Sequence, residues 1–501
     1  MNRQLTRLAV VSMVLLGALV VATTYWQTWA VAGLQDRQDN AIQQVAQLSI
    51  ARGLIEGANE KKVFATNAKR RVKGQTIFSR RYPQHGLAAQ VVGYSTEGGT
   101  RVGLEQSLND YLTGANTNLS NAFRSTLDRL GGGTVHGSNV VLTLKPAVQR
   151  LAMRDLAGRC GAVVALNPHT GQVYVMASSP TYDQNLLRTS NGYAKILKIK
   201  GACGDASALV NNATAGLYTP GSTFKLVTAA AALDSGTFTP DSRFTDPGYC
   251  VEYGKKVYNS SAPDSPSAHE TFGNVTLAQG LQHSINSVFC NVGMKLGAKT
   301  ILEYAKRFGF YSTPPLETPA SERAPSGLYS YSKGRSRLYW PKDFNAVDAG
   351  RLAFGQERMI ATPLQMALVA STIANGGVVP RPYVVQRIVG HDGSIVSTTH
   401  TQTLGRAIKQ QTAQELTQMM VSVVQSGTGT SAQIPGVQVA GKTGTAETSA
   451  NHVYNAWFVS FAPADNPRVA VAVVVEKQPN GFGGSVAAPI AKDVLEALLH
   501  G

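Results

Sequence analysis

Hydrophobic positions fall into three regimes along the chain, and each predicts a different kind of element. The first is an uncharged apolar run from Leu8 to Trp26, about the length that spans a bilayer, preceded by Arg3 and Arg7 and closed by Tyr25-Trp26. Basic residues before a span and aromatics after it predict a single-pass membrane anchor, with 1–7 cytoplasmic, 8–26 in the membrane and the remainder extracytoplasmic. Ala18 and Ala22 are small residues near the end of the run, as before a signal-cleavage site, but the run is longer than a signal core. Either way the body of the protein is exported. The second regime, to about Leu144, is more polar. Residues 35–51 read as a Gln-rich helical stalk, and Leu104, Leu108 and Leu112 recur at i, i+4 and i+8, which predicts an amphipathic helix. Gly131-Gly132-Gly133 marks a turn before the apolar stretch 140–144, and a domain boundary is expected just after it near Pro146, dividing 27–145 from 146–501.

The third regime alternates. A helix over 148–156 leads into a strand at 162–166, a turn at 167–171 and a second strand at 172–177, a hairpin that makes the sheet antiparallel. Toward the other end, 437–440, 456–461 and 469–476 read as three further strands before a helix over 488–499. Between them, the alanine-rich run 226–233 has the composition of a buried helix, and Thr362-Pro363 starts another. Residues 312–343, rich in Ser, Pro, Tyr and Arg without periodicity, read as a long surface loop.

Charge then narrows the partners. Lys and Arg number 46 against 30 Asp and Glu, a net +16, which suits nucleic acid, an anionic membrane surface or an anionic polymer. Export removes nucleic acid. Much of the excess lies in one polar stretch, Lys61, Lys62, Lys69, Arg70, Arg71, Lys73, Arg80 and Arg81, which reads as a solvated face near the outer membrane surface, with anionic lipid or wall polymer as a secondary partner. Cys160, Cys203, Cys250 and Cys290 are an even set in an exported chain, which permits disulfides; none has the Cys-x-x-Cys spacing or nearby His pair of a zinc site. There is no Walker loop and no Gly-x-Gly-x-x-Gly fingerprint, so neither metal nor cofactor is expected.

The chemistry is carried by three short motifs. Pro220-Gly221 precedes the run 226–233, so Ser222 opens the buried helix and Lys225 lies one turn on, on the same face, close enough to take the serine proton. Burial and the helix N-terminus both depress such a lysine's pKa and leave a neutral base. For one tetrad alone, a capping serine and a solvated lysine would be the plainer explanation, and Ser330-Tyr331-Ser332-Lys333 repeats the letters with no apolar run behind them. Two further motifs change the balance. Ser284-Ile285-Asn286 and Lys442-Thr443-Gly444-Thr445 follow Ser222 in the order of the penicillin-recognising serine enzymes. Ser107-Leu108-Asn109 also fits Ser-x-Asn, but it precedes the nucleophile and is discarded. Ser284 and Asn286, two apart, would diverge on a helix, so a loop is expected there. Lys442 is expected on a strand edge, with Gly444 leaving the backbone open to a ligand lying alongside.

With these motifs the chain resembles the class B penicillin-binding proteins, nearest to a short actinobacterial subgroup, over nearly everything after about Leu142. Arg52-Gly53-Leu54-Ile55 resembles the opening of that family's pedestal domain, although only Glu56-Gly57-Ala58-Asn59 stands where a fuller acidic and glycine signature is usual. Residues 101–114 resemble the Gly-Leu-Glu block that ends the pedestal, and Gly355-Gln356 with 361–367 resembles a segment of the transpeptidase domain. The resemblance implies an α+β fold, the serine transpeptidase fold. Its parts would be a five-stranded antiparallel sheet flanked by helices and an all-helical subdomain bearing Ser222 and Ser284, behind a transmembrane helix and a small pedestal domain.

The resemblance also implies roles. Ser222 would be the nucleophile and Lys225 the proton acceptor, while Ser284, with Lys442 behind it, would relay the proton to the leaving amine. Asn286 would hold the substrate's peptide carbonyl, Lys442, Thr443 and Thr445 its carboxylate, and the N–H groups of Ser222 and Thr445 would form the oxyanion hole. The implied activity is D,D-transpeptidation of peptidoglycan stem peptides ending in D-Ala-D-Ala, blocked by β-lactams. No glycosyltransferase domain fits between the anchor and Pro146, so a separate membrane glycan polymerase is an expected partner, with other elongation or division proteins. Serine β-lactamases are smaller and need a separate base for water. A D,D-carboxypeptidase differs only in passing the acyl group to water. A non-enzymatic sensor or scaffold would bind penicillin without turning peptide over, and a sensor would need a cytoplasmic output domain. The resembled subgroup has a bridge comparable to one between Cys250 and Cys290, among the pairings that four cysteines allow.

Overall fold

A computed structural model describes every residue except 1, 26–47, 60–61, 73–74, 116–135, 205, 260–269, 333–334, 449–452 and 501. Trp26, the expected stalk up to residue 47, the Gly131-Gly132-Gly133 turn, Lys61, Lys73 and Lys333 lie outside the described residues. The apolar N-terminal run forms one exposed helix, Asn2–Tyr25; over Thr6–Tyr25 its mean hydropathy is 2.2, long and apolar enough to cross a membrane.

The small domain is built on a six-stranded sheet, in the order Ile395–Thr398, Val385–Val389, Asn139–Leu142, Ile55–Glu56, Val63–Val72 and Gln75–Arg81. Two of its strands arrive from far along the chain, across the expected boundary at Pro146. The reason lies in Asn139–Leu142, where Val140, Val141 and Leu142 are buried and both edges need partners; Ile55–Glu56 pairs parallel on one side and Val385–Val389 antiparallel on the other. Leu104, Leu108 and Leu112 are buried as their spacing predicts, but not on one helix. The chain makes two short helices, Leu104–Ser107 and Asn109–Thr113, broken at Leu108. Leu108 leaves the helical region at φ −107° and ψ 19°, and Arg52 Nη2 donates to the Glu105 carbonyl of the first turn at 3.1 Å.

The main sheet has five antiparallel strands, in the order Ala440–Glu447, Val453–Ala462, Val469–Pro479, Gly161–Leu166 and Val173–Ser179. Period-two alternation sorts its side chains into two cores. Val471, Val473 and Val475 pack with the helices Pro146–Leu156 and Ala488–His500, whereas Ala470, Ala472 and Val474 face the other way, toward Pro363–Ala374. The expected strand at 437–440 is displaced: the strand begins at Ala440 and runs through the Lys442 motif to Glu447. Lys, Thr and Gly give no apolar alternation, and the strand forms because each residue pairs with the buried strand Val453–Ala462.

The surface loop expected over 312–343 contains a hairpin, Gly327–Ser332 with Arg335–Leu338. Leu328 and Tyr329 are buried and Tyr331 is exposed, a mixture in which period two is hard to see. All four cysteines are paired, Cys160 with Cys203 and Cys250 with Cys290.

Candidate active site

Ser222 sits on a tight turn, Gly221–Phe224, that runs straight into the buried helix Lys225–Asp234. Gly221 has φ +52°, and a Cβ there would lie 2.8 Å from the Thr445 carbonyl oxygen, so glycine alone lets the serine turn meet the edge strand. Trp457, on the second strand, fixes the approach by donating its indole N–H to the Thr219 carbonyl at 3.0 Å.

Ser284 and Asn286 are not on one helix. The helix Leu277–Gln282 ends, Ser284 adopts φ +59°, and Asn286 begins the next helix, Asn286–Arg307. A left-handed serine is uncommon, and here it turns its hydroxyl between two buried lysines. Lys442 Nζ lies 2.8 Å from Ser284 Oγ and Lys225 Nζ lies 3.3 Å from it. Lys225 also donates to the Ser284 carbonyl at 2.6 Å and to Asn286 Oδ1 at 2.8 Å.

These contacts bear on two of the expected roles. Three acceptors saturate the three donors of the Lys225 ammonium, and among the described residues no hydrogen bond joins it to Ser222. Asn286 gives an amide hydrogen to the Tyr258 carbonyl at 3.1 Å, which fixes the orientation of its side chain. Gly444 also serves the packing: a Cβ there would lie 2.9 Å from the Pro220 carbonyl oxygen and 2.8 Å from Thr223 Cγ2, so the glycine lets the strand pack on the serine turn.

Neither lysine has a carboxylate among these partners. Burial, and after it the charge of Lys442, holds the Lys225 ammonium well below its ordinary pKa. Burial alone takes Lys442 down to about 7. Both amines are therefore weaker bases than an ordinary lysine.

The motifs open onto one cleft of about 520 Å³. Ser222, Ser284, Asn286, Thr443 and Thr445 line it, joined by residues that the sequence reading did not single out, among them Thr428, Asn259, Phe272 and Phe482. Thr428 Oγ1 lies 2.6 Å from Thr443 Oγ1, and Thr445 Oγ1 accepts from the Gly483 N–H at 3.3 Å. The signal for Thr428 was slight: a Gly-Thr-Gly-Thr run just after the helix Gln410–Ser426. The alternative Ser330 lies in the hairpin strand and does not line the cleft. Cys160, Cys203 and Glu476 cluster as metal ligands might, but both sulfurs are locked in the disulfide.

Residues 161–496 match the family described as penicillin binding protein transpeptidase domain, and residues 52–140 match the penicillin binding protein A dimerisation domain. The peptidoglycan D,D-transpeptidase PbpA of Mycolicibacterium smegmatis is 34% identical over 100% of this chain and 99% of its own. Its namesake from Mycobacterium tuberculosis is 33% identical over the whole of both chains. Among solved structures, a ceftriaxone acyl-enzyme complex of penicillin-binding protein A from M. tuberculosis superposes with a TM-score of 0.77 at 32% identity, covering 91% of this chain and 100% of that one. A D,D-transpeptidase domain from Eggerthella lenta superposes with a TM-score of 0.73 at 33% identity, covering 90% and 99%. Alike in fold, in both domains and from end to end in sequence, the chain belongs to the penicillin-binding protein transpeptidase family.

Proposed function

We propose that the protein is a serine-type peptidoglycan D,D-transpeptidase, acting on stem peptides that end in D-Ala-D-Ala and acylated by β-lactams. One observation carries the roles: the Ser284 hydroxyl stands between two buried lysines of lowered basicity, at the floor of the cleft that Ser222 lines. A neutral Lys225 takes the Ser222 proton as the hydroxyl attacks the penultimate D-Ala carbonyl. The Ser222 and Thr445 N–H groups receive the oxyanion, and Asn286 holds the adjoining peptide carbonyl. The C–N bond breaks, and the proton reaches the leaving D-Ala through Ser284 and Lys442. An amine of a second stem peptide then attacks the ester, forming the cross-link and freeing Ser222. With a β-lactam the broken amide stays tethered in the adduct, so the acyl-enzyme persists. Lys442, Thr443, Gly444 and Thr445 form the edge along which the substrate carboxylate lies.

Residues 8–26 act as a single-pass membrane anchor in this reading, 27–145 as the pedestal and 146–501 as the extracytoplasmic transpeptidase domain. Glycan polymerisation is left to a separate membrane partner. Intact-mass measurement after incubation with penicillin should give one adduct on the wild type and none on Ser222→Ala. A D-Ala-D-Ala peptide with an acceptor amine should yield free D-Ala and a cross-linked dimer; D-Ala without dimer would assign a carboxypeptidase instead.

A further inference from the structure

Residues 243–259 and 270–276 contribute nothing to the three motifs, yet they pack directly behind Ser284-Ile285-Asn286. Four short strands pair there, Arg243–Asp246 with Gly273–Thr276 and Tyr249–Glu252 with Lys255–Tyr258. At their centre lies Asp246, 1% exposed. Its Oδ1 accepts from the Gly248 N–H at 2.8 Å, from Asn259 Nδ2 at 2.9 Å and from the Ser287 hydroxyl at 2.6 Å. Its Oδ2 accepts from Asn259 Nδ2 at 2.8 Å and from the Phe272 N–H at 2.9 Å. So oriented, Asn259 turns its Oδ1 to the Ser287 N–H at 2.8 Å. One buried carboxylate therefore holds Ser287 through its hydroxyl directly and through its backbone by way of Asn259.

Ser287 is the residue after Asn286, and Asn286 is the group that accepts from Lys225. The Tyr258 carbonyl, adjacent to Asn259, takes the Asn286 amide, and Cys250–Cys290 ties the same strands to the first turns of the helix Asn286–Arg307. Asn259 and Phe272 also line the cleft.

We propose that Asp246 is a positioning residue for acylation: it fixes the first turn of the helix at Asn286, and so the acceptor that holds Lys225 beside Ser284. This rests on the reading above that Lys225 activates Ser222. A carboxylate accepting from five N–H or O–H contacts cannot be replaced by an amide without turning a donor toward a donor. Asp246→Asn should thus tilt Asn286 rather than merely weaken the fold.

The test is the rate of acylation of the full chain in detergent by fluorescent penicillin, counted per acylatable site, across pH 6–9. A purely structural role would lower the number of sites that label and leave the rate at each site alone. Positioning predicts the reverse: Asp246→Asn keeps the wild-type number of sites, while the saturating rate per site falls tenfold or more and the midpoint of its acidic limb moves, because Lys225 has lost a fixed partner. Ser287→Ala, which removes one contact, should fold like the wild type and lose severalfold in rate, and it carries the test if Asp246→Asn fails to fold. A per-site rate within twofold of wild type and an unmoved pH profile, in whichever variant folds, would overturn the proposal. A wild type that does not label, or a Ser222→Ala that does, would instead overturn the reading on which it rests.

Discussion

Two regions of the molecule bury positive charge and treat it in opposite ways. In the small domain Arg52 and Arg80 close on Glu105, which is fully buried, with Arg80 Nε at 2.6 Å and Arg52 Nη2 at 2.9 Å from its two oxygens. Burial pushes the Glu105 carboxyl up, but the charges of Arg80 and Arg52 outweigh it and hold the pKa below its ordinary value. In the transpeptidase domain Lys225 and Lys442 are equally buried and share a serine hydroxyl instead. Where the counter-ion is present the charges are permanent and serve the fold. Where a neutral hydroxyl takes its place, basicity falls to the point at which a proton can move.

The sharpest way to break this comparison is to remove a lysine and look for loss of stability rather than of chemistry. Lys225→Ala should cost several orders of magnitude in acylation rate, because a nucleophile and its base act as a unit. Its melting temperature should change little, since the hydrogen bonds lost at Ser284 and Asn286 are offset by deleting a desolvated amine that no carboxylate compensates. Intact-mass kinetics and a thermal melt on one preparation decide both. Near-normal acylation, or a melt several degrees lower, would mean that the lysine is structural like the arginines.

The reciprocal change is Glu105→Gln. It leaves two buried guanidinium groups without their counter-ion, which costs about 3–5 kcal/mol when one partner of a buried pair is lost. Urea unfolding should report that loss, while the fraction still folded acylates at close to the wild-type rate.

The pH dependence of stability separates the two regions further. Lys442 has a folded pKa of about 7 against an ordinary value of 10.5, so between those limits the unfolded chain holds a proton that the native state has lost. Its contribution to stability therefore rises with pH from about 7 to 10.5, and below 7 the native state carries the full cost. Glu105 also gains with pH, but in the acid range: its contribution is present above the ordinary carboxylate range and is lost as pH falls through its lowered value. Lys442→Met should raise stability near pH 7 by a few kcal/mol and flatten the alkaline rise, leaving the acid limb unchanged. Equilibrium unfolding from pH 5 to 10 measures this, and an unflattened rise would remove Lys442 from the account.

What could be read in the sequence divides along similar lines. Motifs whose chemistry fixes residue type were legible at Ser222, Ser284 and Lys442, and so were apolar runs long enough to show a period. Contacts between distant segments were not. Nothing near Leu108 announces that the helix breaks there, and nothing near 437–440 says that pairing with 453–462 carries the strand on to Glu447. The cleft wall at 243–259 and 270–276 was missed because its strands are four residues each and hold position through Asp246 and a disulfide rather than through apolar alternation. The close packing of Gly444 on the chain's own serine turn was likewise not to be read from its neighbours in sequence.

The basic stretch shows the same limit and supplies the smallest test. Arg70 and Arg80 read alike in sequence, as parts of one solvated face. Arg80 is buried against Glu105, whereas Arg70, 65% exposed, stands 3.8 Å from Glu97, itself 52% exposed. Two long side chains in water gain little from such a pair, because solvent and salt screen the attraction and holding both in place costs rotamer entropy. Arg70→Ala should therefore change unfolding free energy by no more than about 0.5 kcal/mol, with no further change when salt is raised. Arg80→Ala, in the partner strand of the same hairpin, leaves Glu105 short of a charge in a dry site and should cost several times as much. Paired denaturation curves decide it: equal losses at the two positions would mean that neighbourhood in the charge run, rather than burial against a counter-ion, governs what these arginines contribute.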